Sequence, residues 1–260
     1  MKSGIAVIIV VLLVGAMVGV SVLKNRRTPS HEDAGLRQPA RMQSVTFKTK
    51  DGVQIRGSYY PARVSGITKG AVLLHMMPAT KESWQSFADI LSERYHVLAV
   101  DLRGHGESQG GPDGYRNFSD AEHQASLKDV EAAVEFLKSK GVAPSGLVLV
   151  GASIGANLSL WYLSDHRDVP QRAVLLSPGL NYRGIASEPL MEKLHVGQAV
   201  MLVGSDNDPQ SDGNVMRAIS SKAIAGVEAR VLIYQSAGHG TDMFGKESPD
   251  LAVEIMQWLP

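Results

Sequence analysis

One serine lies in a glycine-bracketed pentapeptide that could hold a nucleophile. Gly151, Ser153 and Gly155 form the pattern G-x-S-x-G, between an apolar run at 147–151 and a second apolar stretch. A tight turn between a strand and a helix projects such a serine hydroxyl from the sheet, and the glycines leave room for the crossing backbone. The N–H of Ile154, at the start of the helix, would then point at the negative charge on an attacked carbonyl oxygen. Ser153 is therefore the candidate nucleophile.

A serine nucleophile needs a base, and the residues that could activate it come later in the chain. Asp206 and Asp208 follow the fifth of six apolar runs, and His239 follows the sixth. Since each group comes just after a strand, the order Ser, Asp, His places all of them at one edge of a parallel sheet. We expect His239 to take the Ser153 proton while an aspartate orients the imidazole. Asp208 is preferred because Pro209 would fix its turn, and Asp206 is the alternative.

The elements that must position these residues are short apolar runs alternating with amphipathic stretches. The apolar runs are residues 71–75, 97–101, 147–151, 173–177, 199–204 and 230–234. Strands buried on both faces of a parallel sheet have this composition. The amphipathic stretches at 83–95, 121–140, 211–225 and 248–259 predict helices. Two β-like runs, 44–50 and 53–60, flank Asp51-Gly52, which signals a hairpin. The pattern predicts an α/β fold with a mostly parallel, doubly wound sheet opened by an antiparallel hairpin.

The motifs resemble those of the α/β-hydrolase superfamily, most closely its small lidless esterase and dienelactone-hydrolase-like members. The resemblance covers about residues 44–260. Residues 101–108 (DLRGHGES) are similar to a D-x-R-G-H-G-x-S segment that shapes a structural turn in many members, which implies that His105 is not catalytic. Only about twenty residues separate 177 from 199, so no large lid is expected.

The resemblance also implies an oxyanion loop at residues 74–77. In it, the N–H of Met76 would be the second oxyanion donor beside that of Ile154. Methionines stand here in place of the usual glycines. The Met77 side chain could line an acyl pocket, a use that suits flexible thioethers, or pack in the core.

Together these features predict a serine hydrolase that cleaves carboxylic esters of short to medium acyl chain through an acyl-enzyme. An acyltransferase or peptidase with the same triad is one alternative. A non-catalytic, membrane-anchored binding module on the same fold is the other, because a fold alone does not establish activity. The expected partner is a small-molecule ester.

The amino-acid composition and the absence of certain motifs exclude several other functional classes. Lys+Arg and Asp+Glu balance at 26 each, which gives no support for nucleic-acid binding. Cysteine is absent, which excludes thiol nucleophiles and Cys-ligated metals. The histidines lack a ligand spacing and no phosphate-binding glycine motif occurs, so neither a metal nor a cofactor is expected.

The chain begins with an uncharged apolar run at 4–23. At about 1.5 Å per residue it would reach ~30 Å, enough to cross a bilayer. Residues 1–23 are therefore expected to be a transmembrane anchor, with a cleaved signal peptide as the alternative. Residues 24–43 read as a polar tether, and 44–260 as the catalytic domain. The predicted localisation is a single-pass membrane protein; the balance of basic residues weakly favours a cytoplasmic catalytic domain, and an extracytoplasmic one stays open.

Overall fold

The computed structural model describes residues 42–168 and 170–260. Their strands form one eight-stranded sheet and a separate two-stranded ribbon. The strands of the large sheet are β1 Gln43–Lys48, β2 Gln54–Tyr60, β3 Gly70–Leu74, β4 His96–Val100, β5 Leu147–Ala152, β6 Arg172–Leu176, β9 Ala199–Ser205 and β10 Glu228–Tyr234. The ribbon consists of β7 Asn181–Tyr182 and β8 Ile185–Ala186. The helices are α1 Gln85–Leu91, α2 Asp120–Gln124, α3 Leu127–Ser139, α4 Ile154–Asp165, α5 Ser187–Glu192, α6 Gly213–Ser220 and α7 Leu251–Trp258.

The sheet has the order β1-β2-β4-β3-β5-β6-β9-β10. β1 and β2 pair antiparallel, β2 runs antiparallel to β4, and the remaining neighbours are parallel. The predicted doubly wound sheet opened by an antiparallel hairpin is therefore confirmed. Gly52 lies in the turn between β1 and β2 at φ 85°, a conformation that favours glycine.

The central strands β3, β4, β5, β6 and β9 are covered on both faces, which explains why they are apolar without alternation. Val72 and Leu74 of β3 point into the core that also contains residues of α3 and α4. Ala71 and Leu73, the alternate residues, point into the core formed with α1 and α7. Because parallel strands all end at the same edge, this packing brings the ends of β3, β5, β6, β9 and β10 together.

The helices differ from the predicted spans in one place that matters for the site. The stretch predicted as a single helix at 121–140 is two helices, α2 and α3, separated at Ala125 and Ser126. A capping box starts α2: Ser119 and Glu122 each satisfy the other's backbone N–H. The separation leaves α2 beside the β7–β8 ribbon, where Gln124 Nε2 donates to the carbonyl of Arg183 at 2.9 Å.

The predicted anchor at 1–23, its signal-peptide alternative and nearly all of the tether at 24–43 lie outside the described residues. Within the described ranges, no helix combines the length and apolar character needed to cross a bilayer. The longest, α3, has 13 residues, whereas a span needs about 20. On this finding the predicted single-pass membrane localisation is wrong, together with the placement of the catalytic domain on either side of a membrane. The prediction of a membrane localisation depended only on the apolar character of residues 4–23.

A buried ion pair joins the 3₁₀ turn Lys81–Trp84 to the end of β4. Lys81 Nζ lies 2.8 Å from Asp101 Oδ2, and the two side chains are 4% and 0% exposed. The carboxylate also accepts from the backbone N–H groups of Lys81 at 2.8 Å and Glu107 at 2.9 Å. A Cβ on Gly106 would lie 2.3 Å from the same carboxylate, so only glycine fits there. The DLRGHGES segment is thus a structural turn built around Asp101.

Three histidines, His105 within this turn together with His75 and His123, are buried. Burial lowers the pKa of His75 from 6.5 to about 3, and it also lowers the pKa of His105 and His123. The folded protein therefore holds these imidazoles neutral at a pH where the unfolded chain takes up protons. The contribution of these histidines to the free energy of unfolding is fully present above pH 6.5. It is lost as the pH drops from there toward 3.

We expect the urea midpoint of the wild type to fall steadily between pH 7 and pH 5. His105→Gln should make this dependence shallower, because one buried imidazole no longer distinguishes the folded from the unfolded chain; the limit is ~1.4 kcal/mol per pH unit for one proton. Urea titrations at several pH values measure both slopes. A midpoint that stays constant from pH 7 to pH 5 in the wild type would contradict the expectation.

Candidate active site

Ser153 lies on a sharp turn between β5 and α4. Its backbone has φ 54° and ψ −119°, a conformation that non-glycine residues rarely adopt. The neighbours explain why the turn can be so tight: a Cβ on Gly151 would lie 2.1 Å from the carbonyl oxygen of Gly155, and a Cβ on Gly155 would lie 2.4 Å from that of Leu74. Strain of this kind is tolerated where the surroundings impose it, and it is concentrated at functional sites.

Asp208 and His239 meet across the ends of β9 and β10. The carboxylate Oδ2 of Asp208 lies 2.5 Å from Nδ1 of His239. The Asp208 side chain is 7% exposed and that of His239 28%, so the carboxylate is buried while the imidazole reaches the surface. The second carboxylate oxygen, Oδ1, accepts from the backbone N–H of Gln210 at 3.1 Å. This arrangement orients the imidazole with Nδ1 toward the acid and leaves Nε2 for a reacting group.

Asp206, the alternative acid, is directed elsewhere. Its Oδ1 accepts from the backbone N–H of Gly213 at 3.2 Å, at the start of α6. Its own N–H donates to the carbonyl of Tyr234 at 2.9 Å. The structure therefore brings Asp208, and not Asp206, to His239.

The loops that carry the acid and the histidine are bonded to each other. Asn207 Oδ1 accepts from the backbone N–H of Gly238 at 3.0 Å and from the Ser205 hydroxyl at 2.7 Å. Ser205 Oγ in turn accepts from the N–H of Ala237 at 2.9 Å. These residues were not singled out in the sequence, because their role depends on two loops that are about thirty positions apart.

Ser177 is a further supporting residue that the sequence did not reveal. It directly follows β6 with φ 48°, is fully buried, and its Oγ accepts from the backbone N–H of Gly240 at 2.8 Å. This bond holds the residue that follows His239. The bond thereby fixes the His239 loop to the edge of the sheet.

The two oxyanion-donor candidates, Ile154 and Met76, come just after two neighbouring strands, β5 and β3. Ile154 is the first residue of α4, so its N–H has no acceptor within the helix. Met76 follows β3, which pairs with β5 in a register that sets Leu74 opposite Gly151. The Met76 side chain turns away from the cleft, with its Sδ against Gly240.

An open cleft of about 920 Å³ contains the side chains of Ser153, Asp208 and His239. Its lining residues are Met77, Ser153, Gly179, Leu180, Asn181, Tyr182, Arg183, Asp208, Pro209, Gln210, Val215 and His239. Met77 thus lines the cleft, as expected of an acyl-pocket residue. The 179–183 segment supplies a large part of the wall, whereas the loop 110–118 supplies none.

Tyr182 is the most notable residue that sequence reasoning missed. Its side chain lines the same cleft as Ser153, and burial raises the pKa of this phenol to about 12. The hydroxyl also lies 3.4 Å from Gln210 Oε1. No spacing signal could have found it, since it lies on a two-residue strand.

No group of three or more His, Cys, Asp or Glu side chains in 42–168 and 170–260 is arranged to hold a metal ion.

Comparisons with known proteins agree with this geometry. A family model described as the alpha/beta hydrolase fold matches residues 72–208, more than half of the chain. The chain is 28% identical over 124 residues to the uncharacterized protein YfhR of Salmonella typhi, covering 46% of this chain and 39% of that protein. It is 34% identical over 147 residues to the bifunctional esterase/perhydrolase DCH of Acinetobacter calcoaceticus, covering 56% and 45%.

The chain spans less than half the length of these curated relatives. Among solved structures, the Pyrococcus furiosus esterase Pf2001 superposes with a TM-score of 0.67 at 18% identity, covering 84% of this chain and 91% of that one. This similarity shows the fold.

Proposed function

The chain belongs to the α/β-hydrolase fold family, and from that premise we propose that it is a serine hydrolase acting on carboxylic esters. The observation that carries the proposal is the strained Ser153 turn in one cleft with the Asp208–His239 pair, whose facing atoms are 2.5 Å apart. A nucleophile with a base that a third group orients is the arrangement required for acyl transfer to serine.

In the proposed mechanism His239 takes the Ser153 proton as Oγ attacks the ester carbonyl. Asp208 stabilises the imidazolium that forms and keeps it oriented. The N–H of Ile154, and that of Met76 as the second donor, stabilise the negative oxygen of the tetrahedral intermediate. His239 then returns the proton to the departing alcohol. Water activated by the same histidine releases the acid from Ser153.

The open cleft favours esters of short to medium acyl chain. Only the β7–β8 ribbon and the six-residue α5 lie between β6 and β9, so no helical lid encloses the substrate. Met77, Leu180 and Val215 offer apolar surface for an acyl chain at the open side of the cleft. The domain proposed to carry the activity is residues 44–260.

Labelling with a fluorophosphonate tests the nucleophile directly, because the probe reacts only with an activated serine. We expect the wild type to be labelled and Ser153→Ala to remain unlabelled. Ser221→Ala, which removes an exposed serine at the end of α6, is the matched control and should label like the wild type. An unlabelled wild type, or equal labelling of Ser153→Ala, would refute the proposal.

A further inference from the structure

Tyr182 lies in the wall of the cleft that also contains Ser153 and His239. Its hydroxyl lies 3.4 Å from Gln210 Oε1. Its ring packs flat against the backbone of Gly179: a Cβ there would lie 2.6 to 2.9 Å from three ring atoms. The phenol is thus held in place by a position that admits no side chain.

The ribbon that carries Tyr182 is fixed to the same helix that follows the nucleophile. Asn157, fully buried on the first turn of α4, donates from Nδ2 to the carbonyls of Gly179 at 3.0 Å and Ile185 at 2.8 Å. Its Oδ1 accepts from the N–H of Gly179 at 3.2 Å. Both ends of the ribbon are therefore held in a fixed position relative to Ser153. A catalytic group needs such precise positioning.

The sheet order decides which side of the nucleophile Tyr182 occupies. β5, which carries Ser153, lies between β3 and β6. Met76 follows β3, so this oxyanion-donor candidate lies on that side. Tyr182 follows β6, on the side of β9 and β10, which supply Asp208 and His239. The leaving oxygen of an ester must also lie on this side, because His239 protonates it.

We infer that Tyr182 is a further catalytic residue, which donates a hydrogen bond to the leaving oxygen of the ester and suits the site to esters of aliphatic alcohols. This inference rests on the proposed function. Aliphatic alcohols are poor leaving groups, since the negative charge that develops on their oxygen is not delocalised. A fixed donor beside that oxygen stabilises the charge in the transition state.

The chemical step balances without proton transfer from the phenol. The bond between the carbonyl carbon and the alkoxy oxygen breaks, and its electron pair goes to that oxygen. The imidazolium of His239 supplies the proton, so alcohol and acyl-Ser153 are the products. Tyr182 keeps its proton throughout, consistent with the pKa of about 12 that burial gives it.

The test is Tyr182→Phe, assayed on acetate esters whose alcohols range from p-nitrophenol through phenol to ethanol. We expect kcat/KM to fall roughly 10- to 100-fold on ethyl acetate, the range of one hydrogen bond to a charged group. On p-nitrophenyl acetate the loss should stay below about threefold, because that leaving group needs little stabilisation. The plot of log kcat/KM against leaving-group pKa should therefore be steeper for the variant.

Tyr234→Phe is the matched control. It removes a phenol hydroxyl that donates to the carbonyl of Pro249 at 2.7 Å on a strand outside the cleft lining, so its plot should keep the wild-type slope. Gly179→Ala keeps the Tyr182 hydroxyl but displaces the ring, and it should steepen the plot as Tyr182→Phe does.

An equal loss on all three esters, or no loss on any, would overturn the role of Tyr182. Fluorophosphonate labelling of Tyr182→Phe separates this failure from failure of the proposed function. If the variant and the wild type are labelled and the slopes agree, the serine hydrolase stands and only the leaving-group role is lost. If the wild type is not labelled, the proposed function itself has failed.

Discussion

Asp208→Asn should lower kcat on p-nitrophenyl acetate by about 10⁴, the effect known when a triad acid becomes an amide. The carboxylate lies 2.5 Å from His239 Nδ1, and an asparagine there would no longer stabilise the imidazolium. It would also allow the amide N–H to face the ring, which favours the wrong tautomer for accepting the Ser153 proton.

Asp206→Asn provides the matched comparison on the same loop. Asp206 Oδ1 accepts one bond from the N–H of Gly213, and an asparagine retains that acceptor. Its kcat should stay within about threefold of the wild type. Thermal unfolding of both variants checks that the loop remains folded. An inactive Asp206→Asn beside an active Asp208→Asn would reverse the assignment of the acid.

Lys81→Met should lower the free energy of unfolding by about 3–5 kcal/mol, because it leaves the buried carboxylate of Asp101 without its cation. Asp101 is fully buried and is held by Lys81 Nζ at 2.8 Å. Methionine preserves most of the volume of the lysine side chain, so the loss reports on the charge. Urea denaturation at pH 7 measures it.

Lys138→Met removes a half-buried lysine paired with the exposed Glu135 at 2.8 Å on α3. It should cost no more than about 0.5 kcal/mol, as exposed pairs one helical turn apart do. Joining Lys81→Met to Asp101→Asn should recover part of the stability, because the unpaired charge is then gone. Equal losses for the two lysine variants would show that the buried pair has no special effect.

The sequence predicts those parts of the molecule whose signals are local. The apolar runs identified the strands of the parallel sheet, because a strand that is buried on both faces is apolar at almost every residue. The G-x-S-x-G turn likewise needs only its own glycines. The acid was narrowed to two residues on one loop, because two aspartates two positions apart can face opposite directions and the turn alone does not fix which of them meets His239.

Residues positioned by tertiary contacts could not be predicted. Tyr182 owes its place to the bare backbone of Gly179 and to the bonds of Asn157, none of which forms a periodic pattern. The break between α2 and α3 was missed because the 121–140 stretch keeps an amphipathic pattern through it. The membrane prediction rested on one apolar run at 4–23, and no helix in the described part of the chain is long and apolar enough to cross a bilayer.

The bonds that join the acid loop to the histidine loop also bear on how this domain can diversify. Asn207 and Ser205 connect the two loops directly to each other. A displacement of one loop should therefore displace the other, so that Asp208 and His239 keep their relative position. The β7–β8 ribbon is held at its base by Asn157 and has an exposed tip at Arg183 and Gly184. Changes at that tip can reshape the entrance while the proton-transfer machinery keeps its geometry, so selectivity and chemistry can evolve at different rates.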